Sequence, residues 1–240
     1  MQHRLGIARR EVSLKARLWI AGTLLVGIAA VVAVAAPNKT TTHTKGSPAP
    51  AAQTHITPTS VTYAKSLGSS SAPVRIEVFS DYQCPQCRNF YLNTLRPVID
   101  NYVSAGKVYL IHHDFPLSIH SYSREAARWA TAAAVVGDFE TVDQALYTNQ
   151  DKWETNGQIE PFIAAVLSPA DMKKVKTLYT QDATELDAAV ATDQALGKAK
   201  NIDSTPTIFI TARGETHELP PGGVNYQLMK QYLDYLLQQR

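Results

Sequence analysis

Cysteine is almost absent: the 240 residues hold two, Cys84 and Cys87. Two thiols exclude the multi-bridge framework that staples small secreted domains. They also leave a tetrahedral zinc site half built. No second CxxC or CxxH follows, so His112, His113 and His120 would have to converge from elsewhere. A basic surface is missing too. The formal charge is +2, yet residues 1–17 alone carry Arg4, Arg9, Arg10, Lys15 and Arg17 against Glu11, so the remainder is slightly acidic. That excludes an electrostatic footprint for nucleic acid. Charge itself is missing from Leu18 to Ala36, and large apolar residues are scarce from Pro37 to about Ser60. There is no internal repeat.

Each scarcity assigns a segment. A helix over 18–36 spans roughly 28 Å, close to the hydrocarbon thickness of a bilayer. With the basic cluster of 1–17 on its N-terminal side, the positive-inside rule keeps that end in the cytoplasm and places the rest outside. The expectation is a single-pass signal anchor in the cytoplasmic membrane; the alternative is a signal peptide cleaved near Ala35, after the small residues Ala33-Val34-Ala35. Residues 37–60, rich in Pro, Thr, Ala and Ser with isolated His43 and His55, cannot bury a core and read as a flexible linker. The folded domain is expected over 61–240, a length that suits one core.

Within it, Val74, Ile76, Val78 and Phe79 predict a strand, and Tyr91, Leu95, Val98, Ile99, Tyr102 and Val103 recur at helical spacing, with Pro97 as a kink. Val108 to His113 predicts a second strand, parallel to the first because a helix joins them. A helical block follows over about 118–200. Thr207–Thr211 and Glu215–Leu219 then predict a hairpin about Ala212-Arg213-Gly214, and 225–239 a closing helix. The order β-α-β, helical block, β-β-α predicts an α/β fold: a thioredoxin-like core with a four-stranded mixed sheet and a helical insertion.

Cys84-Pro85-Gln86-Cys87 lies between the first strand and its helix. A helix N-terminus favours an anionic sulfur, so Cys84 is the expected nucleophile and Cys87, one turn inside, the resolving thiol. Pro85 and Gln86 shape the surroundings of the Cys84 sulfur. The competing readings are a structural pair of buried cysteines and the zinc half-site. Ser204-Thr205-Pro206-Thr207 precedes a strand. A proline at a strand edge is ordinary; a cis Thr205–Pro206 bond would turn the Thr205 backbone toward the dithiol and leave an edge for an extended substrate.

The run Glu77-Val78-Phe79-Ser80-Asp81-Tyr82-Gln83-Cys84-Pro85-Gln86-Cys87, with Asp114-Phe115-Pro116-Leu117, His120 and Thr205-Pro206-Thr207, resembles the DsbA-like thiol:disulfide oxidoreductases, especially the membrane-anchored single-domain type with an FSDxxCPxC site. The resemblance covers about residues 61–240. It implies Cys84 as nucleophile, Cys87 as resolving cysteine, Pro206 as cis-proline, Thr205 as a tuning and substrate-contact residue, and Glu77 as a buried acid relaying the inner thiol's proton. His120 falls where relatives carry a histidine; by itself it reads equally as a helix cap or surface residue. The implied activity is oxidation of thiols in exported proteins, with no cofactor or metal, reoxidised by a membrane quinone-linked partner of the DsbB or vitamin-K-epoxide-reductase type. One departure is Gln86, where strong oxidases of the family carry His. A neutral amide adds no positive charge, so Cys84 should be a weaker thiolate and the disulfide less oxidising. That keeps a second reading open: a reductase or isomerase fed by a membrane electron donor. A third is a metal-binding module built on the same cysteines.

Overall fold

The computed structural model describes residues 65–239. The expectations for 1–17, 18–36 and 37–60, and for the first residues of the domain, lie outside the described residues. Among those described, no helix is long and apolar enough to cross a membrane.

Two short pieces of β-forming sequence carry the centre. Val74–Ser80 (β2) and Val108–Asp114 (β3) pair in parallel, with Val74 opposite Val108 and Ser80 opposite Asp114 and no bulge between. Thr207–Ala212 (β4) lies antiparallel on the other side of β2, and Glu215–Glu218 (β5) folds back on it. The four expected strands are therefore present. A fifth, Ser66–Leu67 (β1), adds antiparallel to β3 at the edge, giving the order β1-β3-β2-β4-β5. Two residues carry no detectable period, which is why the sequence did not mark this strand.

Alternation along β2 separates two environments. Val74, Ile76 and Val78 face the large core, where they join Phe90, Leu95 and Val98 of the first helix and Met229 and Leu233 of the last. Phe79 points the other way, into a smaller cluster with Phe115 and Ile202.

The first helix, α1, starts at Pro85–Phe90. It widens through a π-helical stretch (Tyr91–Leu95), takes one α turn (Arg96–Val98) and widens again (Ile99–Val103). Pro97 has no N–H to give the ladder, so the expected kink appears as wide turns: Arg96 N–H reaches Tyr91 O, five residues back.

The insertion comprises α2 (Ser123–Val136), α3 (Phe139–Thr148), α4 (Gln150–Trp153), α5 (Glu160–Ala164), α6 (Pro169–Gln181) and α7 (Ala183–Ala199). The alanine stripe of α2 is buried, with Ala126, Ala130, Ala132 and Ala133 all at 0% exposure, which lets neighbouring helices approach closely. Gly197 does the same for α7. A Cβ there would lie 2.5 Å from the Phe115 ring and 3.2 Å from Phe79, so only glycine lets this helix seat on the small cluster. The closing helix, α8 (Tyr226–Gln238), is capped by the Asn225 side chain, which accepts from Leu228 N–H at 3.0 Å.

A buried charge cluster pins the insertion to the sheet. Lys65, just before β1, donates to Asp114 at the end of β3 and to Asp193 of α7, both at 2.5 Å, and all three side chains are at most 1% exposed. Thr131 of α2 also donates to Asp114, at 3.2 Å.

Candidate active site

Cys84 has extended backbone and occupies the cap position of α1, with Pro85 in the first turn, where a missing N–H costs nothing. Its carbonyl begins the helix by accepting from Arg88 N–H at 3.1 Å. Pro85 and Gln86 are exposed, whereas Cys84 keeps 7% of its surface and Cys87 only 1%. Both are free thiols. Both are buried, and Cys84 keeps the larger share of its surface.

The second expected element arrives from the far side of the insertion. The Thr205–Pro206 bond is cis. The Thr205 carbonyl faces the dithiol and accepts from Cys84 Sγ at 3.5 Å. Thr205 Oγ1 is buried and holds no hydrogen bond. A thiolate on Cys84 is the anion it can serve, and the hydroxyl favours that charged form.

These contacts set the chemistry. The Cys84 thiol is lowered to about 5, chiefly by the Cys87 thiol donating to its sulfur. Burial opposes this, and the backbone N–H of Cys87, the Thr205 hydroxyl and the backbone N–H of Gln86 assist it. Gln86 therefore contributes through its main chain. Cys87 moves the opposite way: burial, then the neighbouring Cys84 sulfur, push it well above the ordinary thiol range. One sulfur is held as an anion and the other as its donor, the division of labour that thiol–disulfide exchange needs.

Two expectations require correction. Glu77 is not brought to the dithiol. Strand alternation turns it to the face opposite Val78, where it meets His113 at 3.5 Å and Arg75 at 3.3 Å. Its carboxyl is lowered, first by a hydrogen bond from His113. The loop from the strand to Cys84 puts Val78, not Glu77, on the dithiol face. His120, for which the sequence offered no role, is neither a cap nor a free surface residue: its Nδ1 lies 2.8 Å from Asp81 Oδ2.

Asp81 is the positioning residue that sequence reasoning passed over. Its carboxylate is wholly buried. Oδ1 accepts from Gln83 N–H at 2.8 Å and Ser123 Oγ at 2.5 Å, and Oδ2 from Leu117 N–H at 2.7 Å, besides its contact with His120. It thereby ties the loop before Cys84 to the segment after β3 and to the start of α2. Its own N–H points at Cys87 Sγ, at 3.5 Å. Gln150 adds a second tie, donating to the carbonyls of Tyr82 (2.6 Å) and Cys84 (3.1 Å). Gln83 spans to the insertion through Glu154 O (2.6 Å) and Tyr122 N–H (2.7 Å). Asp81 stood within the FSDxxCPxC run and an acid beside a buried strand end was its signal; Gln150, far along the chain, had none. His112 and His113 are engaged by Asp114 and Asp193 respectively, away from the cysteines, and among the described residues no cluster of three metal-ligating side chains forms.

Comparison with known proteins agrees with this geometry. A thioredoxin family profile matches residues 60–221. A probable disulfide bond formation protein D of Bacillus cereus is 26% identical over 152 residues, covering 61% of this chain and 69% of its own. Among solved structures, alpha-DsbA1 of Wolbachia pipientis superposes with a TM-score of 0.61 at 19% identity, over 73% of this chain and 91% of its own. Oxidised BdbD of Bacillus subtilis does so with a TM-score of 0.57 at 21% identity, over 72% and 92%. With two buried cysteines at a helix start beside a cis-proline loop, the chain belongs to the thioredoxin family, and its fold is that of the DsbA-like structures.

Proposed function

We propose that this chain is an extracytoplasmic thiol:disulfide oxidoreductase that introduces disulfides into exported proteins through Cys84 and Cys87. The observation that carries the reading is the Cys84 thiol, held at about 5 beside the Thr205 carbonyl. A thiol ionised so far below neutrality stabilises the reduced pair, which makes the disulfide a better oxidant.

In the oxidised enzyme, a substrate thiolate attacks Cys84 Sγ. The new mixed disulfide forms, the Cys84–Cys87 bond breaks, and its electron pair goes to Cys87 Sγ. A second substrate thiolate then attacks the substrate sulfur of the mixed disulfide. The substrate leaves oxidised and Cys84 leaves as the stabilised thiolate. Thr205 and Pro206 form the edge against which the substrate chain lies, and exposed Pro85 and Gln86 form the opposite lip. The name of the Bacillus cereus relative supports the direction, as does the charge-free segment 18–36 that would hold the domain outside the cytoplasmic membrane. The two electrons gained per turnover pass to a membrane quinone-linked partner of the DsbB or vitamin-K-epoxide-reductase type.

Gln86 favours a second reading, a reductase or isomerase, because its amide adds no positive charge near the sulfur. A pKa of about 5 falls between the roughly 7 of thioredoxin and the roughly 3.5 of DsbA. The reduction potential of the pair decides. The oxidase reading expects a value well above the about −270 mV of thioredoxin, together with oxidation of a reduced, unfolded substrate protein. A potential at the thioredoxin value, with reduction of a disulfide substrate instead, overturns it.

A further inference from the structure

Cys87 presents a problem that the site as described leaves unsolved. Each time the Cys84–Cys87 bond opens, an electron pair arrives on a sulfur that is 1% exposed. Water has almost no access to it, and a buried anion served by the single Asp81 N–H is costly. Glu77, the acid expected to serve it, faces the other side of the sheet, and the strand residue on the dithiol side is the apolar Val78. The Asp81 carboxylate is committed to its own donors, and Asp143, deeper in the insertion, accepts from Tyr82 Oη at 2.9 Å.

On that side, next to the Asp81 N–H that meets Cys87 Sγ at 3.5 Å, lies a pair of hydrogen-bonded hydroxyls. Ser80, the last residue of β2, alternates onto the same side as Ile76 and Val78, and its hydroxyl favours the charged form of Cys87. Ser80 Oγ lies 2.6 Å from Tyr147 Oη, and both side chains are buried. Tyr147 cannot swing away, because its ring stacks on Tyr91 (centroids 4.6 Å apart) and leans on Tyr82 (4.9 Å). A serine has one proton to donate. With Tyr147 donating to Ser80, that proton is available to the sulfur.

We propose that Ser80, oriented by Tyr147, is the hydrogen-bond donor that takes up the charge on Cys87 whenever the Cys84–Cys87 bond opens. The attacking thiolate forms a bond to Cys84 Sγ and the electron pair of the broken bond goes to Cys87 Sγ. Ser80 O–H then donates to that sulfur alongside Asp81 N–H, and Tyr147 O–H donates to Ser80. No proton leaves either hydroxyl. The inference rests on the dithiol reading above but not on the direction of electron flow, since a leaving Cys87 needs the same donor either way.

The test opens the oxidised pair with glutathione under pseudo-first-order conditions in the full-length protein. Ser80→Ala is expected to slow opening about tenfold, the loss of one hydrogen bond to a charged group. The thiolate absorbance of Cys84 should keep its midpoint, because the effect falls on the leaving sulfur. Ser80→Thr, which keeps the hydroxyl, should regain most of the rate, and Tyr147→Phe should slow it about threefold. Opening at the wild-type rate in Ser80→Ala, or a Ser80→Thr variant as slow as Ser80→Ala, overturns the proposal; the latter would assign the loss to packing. If Ser80→Ala does not fold, Tyr147→Phe decides by the same rate. A wild-type protein that exchanges with glutathione but oxidises no peptide dithiol removes the proposed function and leaves this comparison standing.

Discussion

Cys84 and Cys87 have the same side chain three positions apart, and their environments drive them in opposite directions. Cys84 is lowered to about 5 because Cys87 and two backbone N–H groups donate to its sulfur and the Thr205 hydroxyl favours its charged form; Cys87 is raised because burial leaves its anion poorly served. Thiolate absorbance of the reduced protein should therefore show one midpoint near 5, with alkylation of Cys84 level above it and falling below it. The sign for stability follows from the depressed value. In an unfolded chain the thiol titrates near about 8.5. The Cys84 contribution to the folded reduced form is complete above that pH, declines through the interval, and is lost below about 5. The oxidised form has no such group, so the stability of reduced relative to oxidised protein should fall as pH drops from 9 to 5. Thr205→Val removes the buried hydroxyl and should raise the Cys84 midpoint by about one pH unit. Gln86→His should lower it and raise the reduction potential.

At the scale of elements, the site is where three chain segments meet, and Asp81 holds them together. Asp81→Ala strips four groups of their acceptor (Gln83 N–H, Leu117 N–H, Ser123 Oγ and His120 Nδ1) and should cost about 3 kcal/mol or more in chemical denaturation. Exchange at the dithiol should weaken with it, since the loop carrying Cys84 loses its anchor. Glu77→Gln, by contrast, should leave glutathione exchange within about twofold of wild type, because its contacts are with His113 and Arg75 on the other face. These two acids show what was legible in the sequence. The strands, the helix start, the cysteine pair and the Thr205–Pro206 turn were legible because each is written in local residue types: β-branched runs, a proline in the first turn, a proline at a strand start. The role of Glu77 was misassigned because it was carried over from the resemblance, and a shift of one residue along a strand turns a side chain to the other face. Asp81, Gln150 and the Ser80–Tyr147 pair depend on contacts across 36 to 68 residues, which no local pattern encodes.

At the scale of the whole described domain, the insertion and the thioredoxin-like core share one fate, because a buried ion cluster joins them. Lys65 comes from the edge of the sheet, Asp114 from the end of β3, and Asp193 from α7, with Thr131 of α2 beside Asp114. Desolvation penalises the Lys65 ammonium, yet the two carboxylates hold its pKa above the ordinary lysine value; both carboxyls are held below theirs, with burial opposing and Lys65 the leading favourable partner. Such a cluster is weak evidence of net stabilisation, because a well-packed apolar replacement of all its members can be as stable. Removing only one member is another matter: Lys65→Met leaves two buried carboxylates facing each other without their cation. That substitution should cost about 3–5 kcal/mol. The carboxylates' share of stability is present above the ordinary carboxylate range and lost as pH falls below it, so the gap between wild type and Lys65→Met should narrow in acid, where the stranded carboxyls become protonated. Because the cluster spans both layers, the loss should appear as one earlier transition, with the fluorescence of Trp129 and Trp153 in the insertion changing at the same denaturant concentration as the far-ultraviolet signal. Two separated transitions in the variant would mean that the sheet and the insertion fold independently and that Lys65 serves only the edge of the sheet.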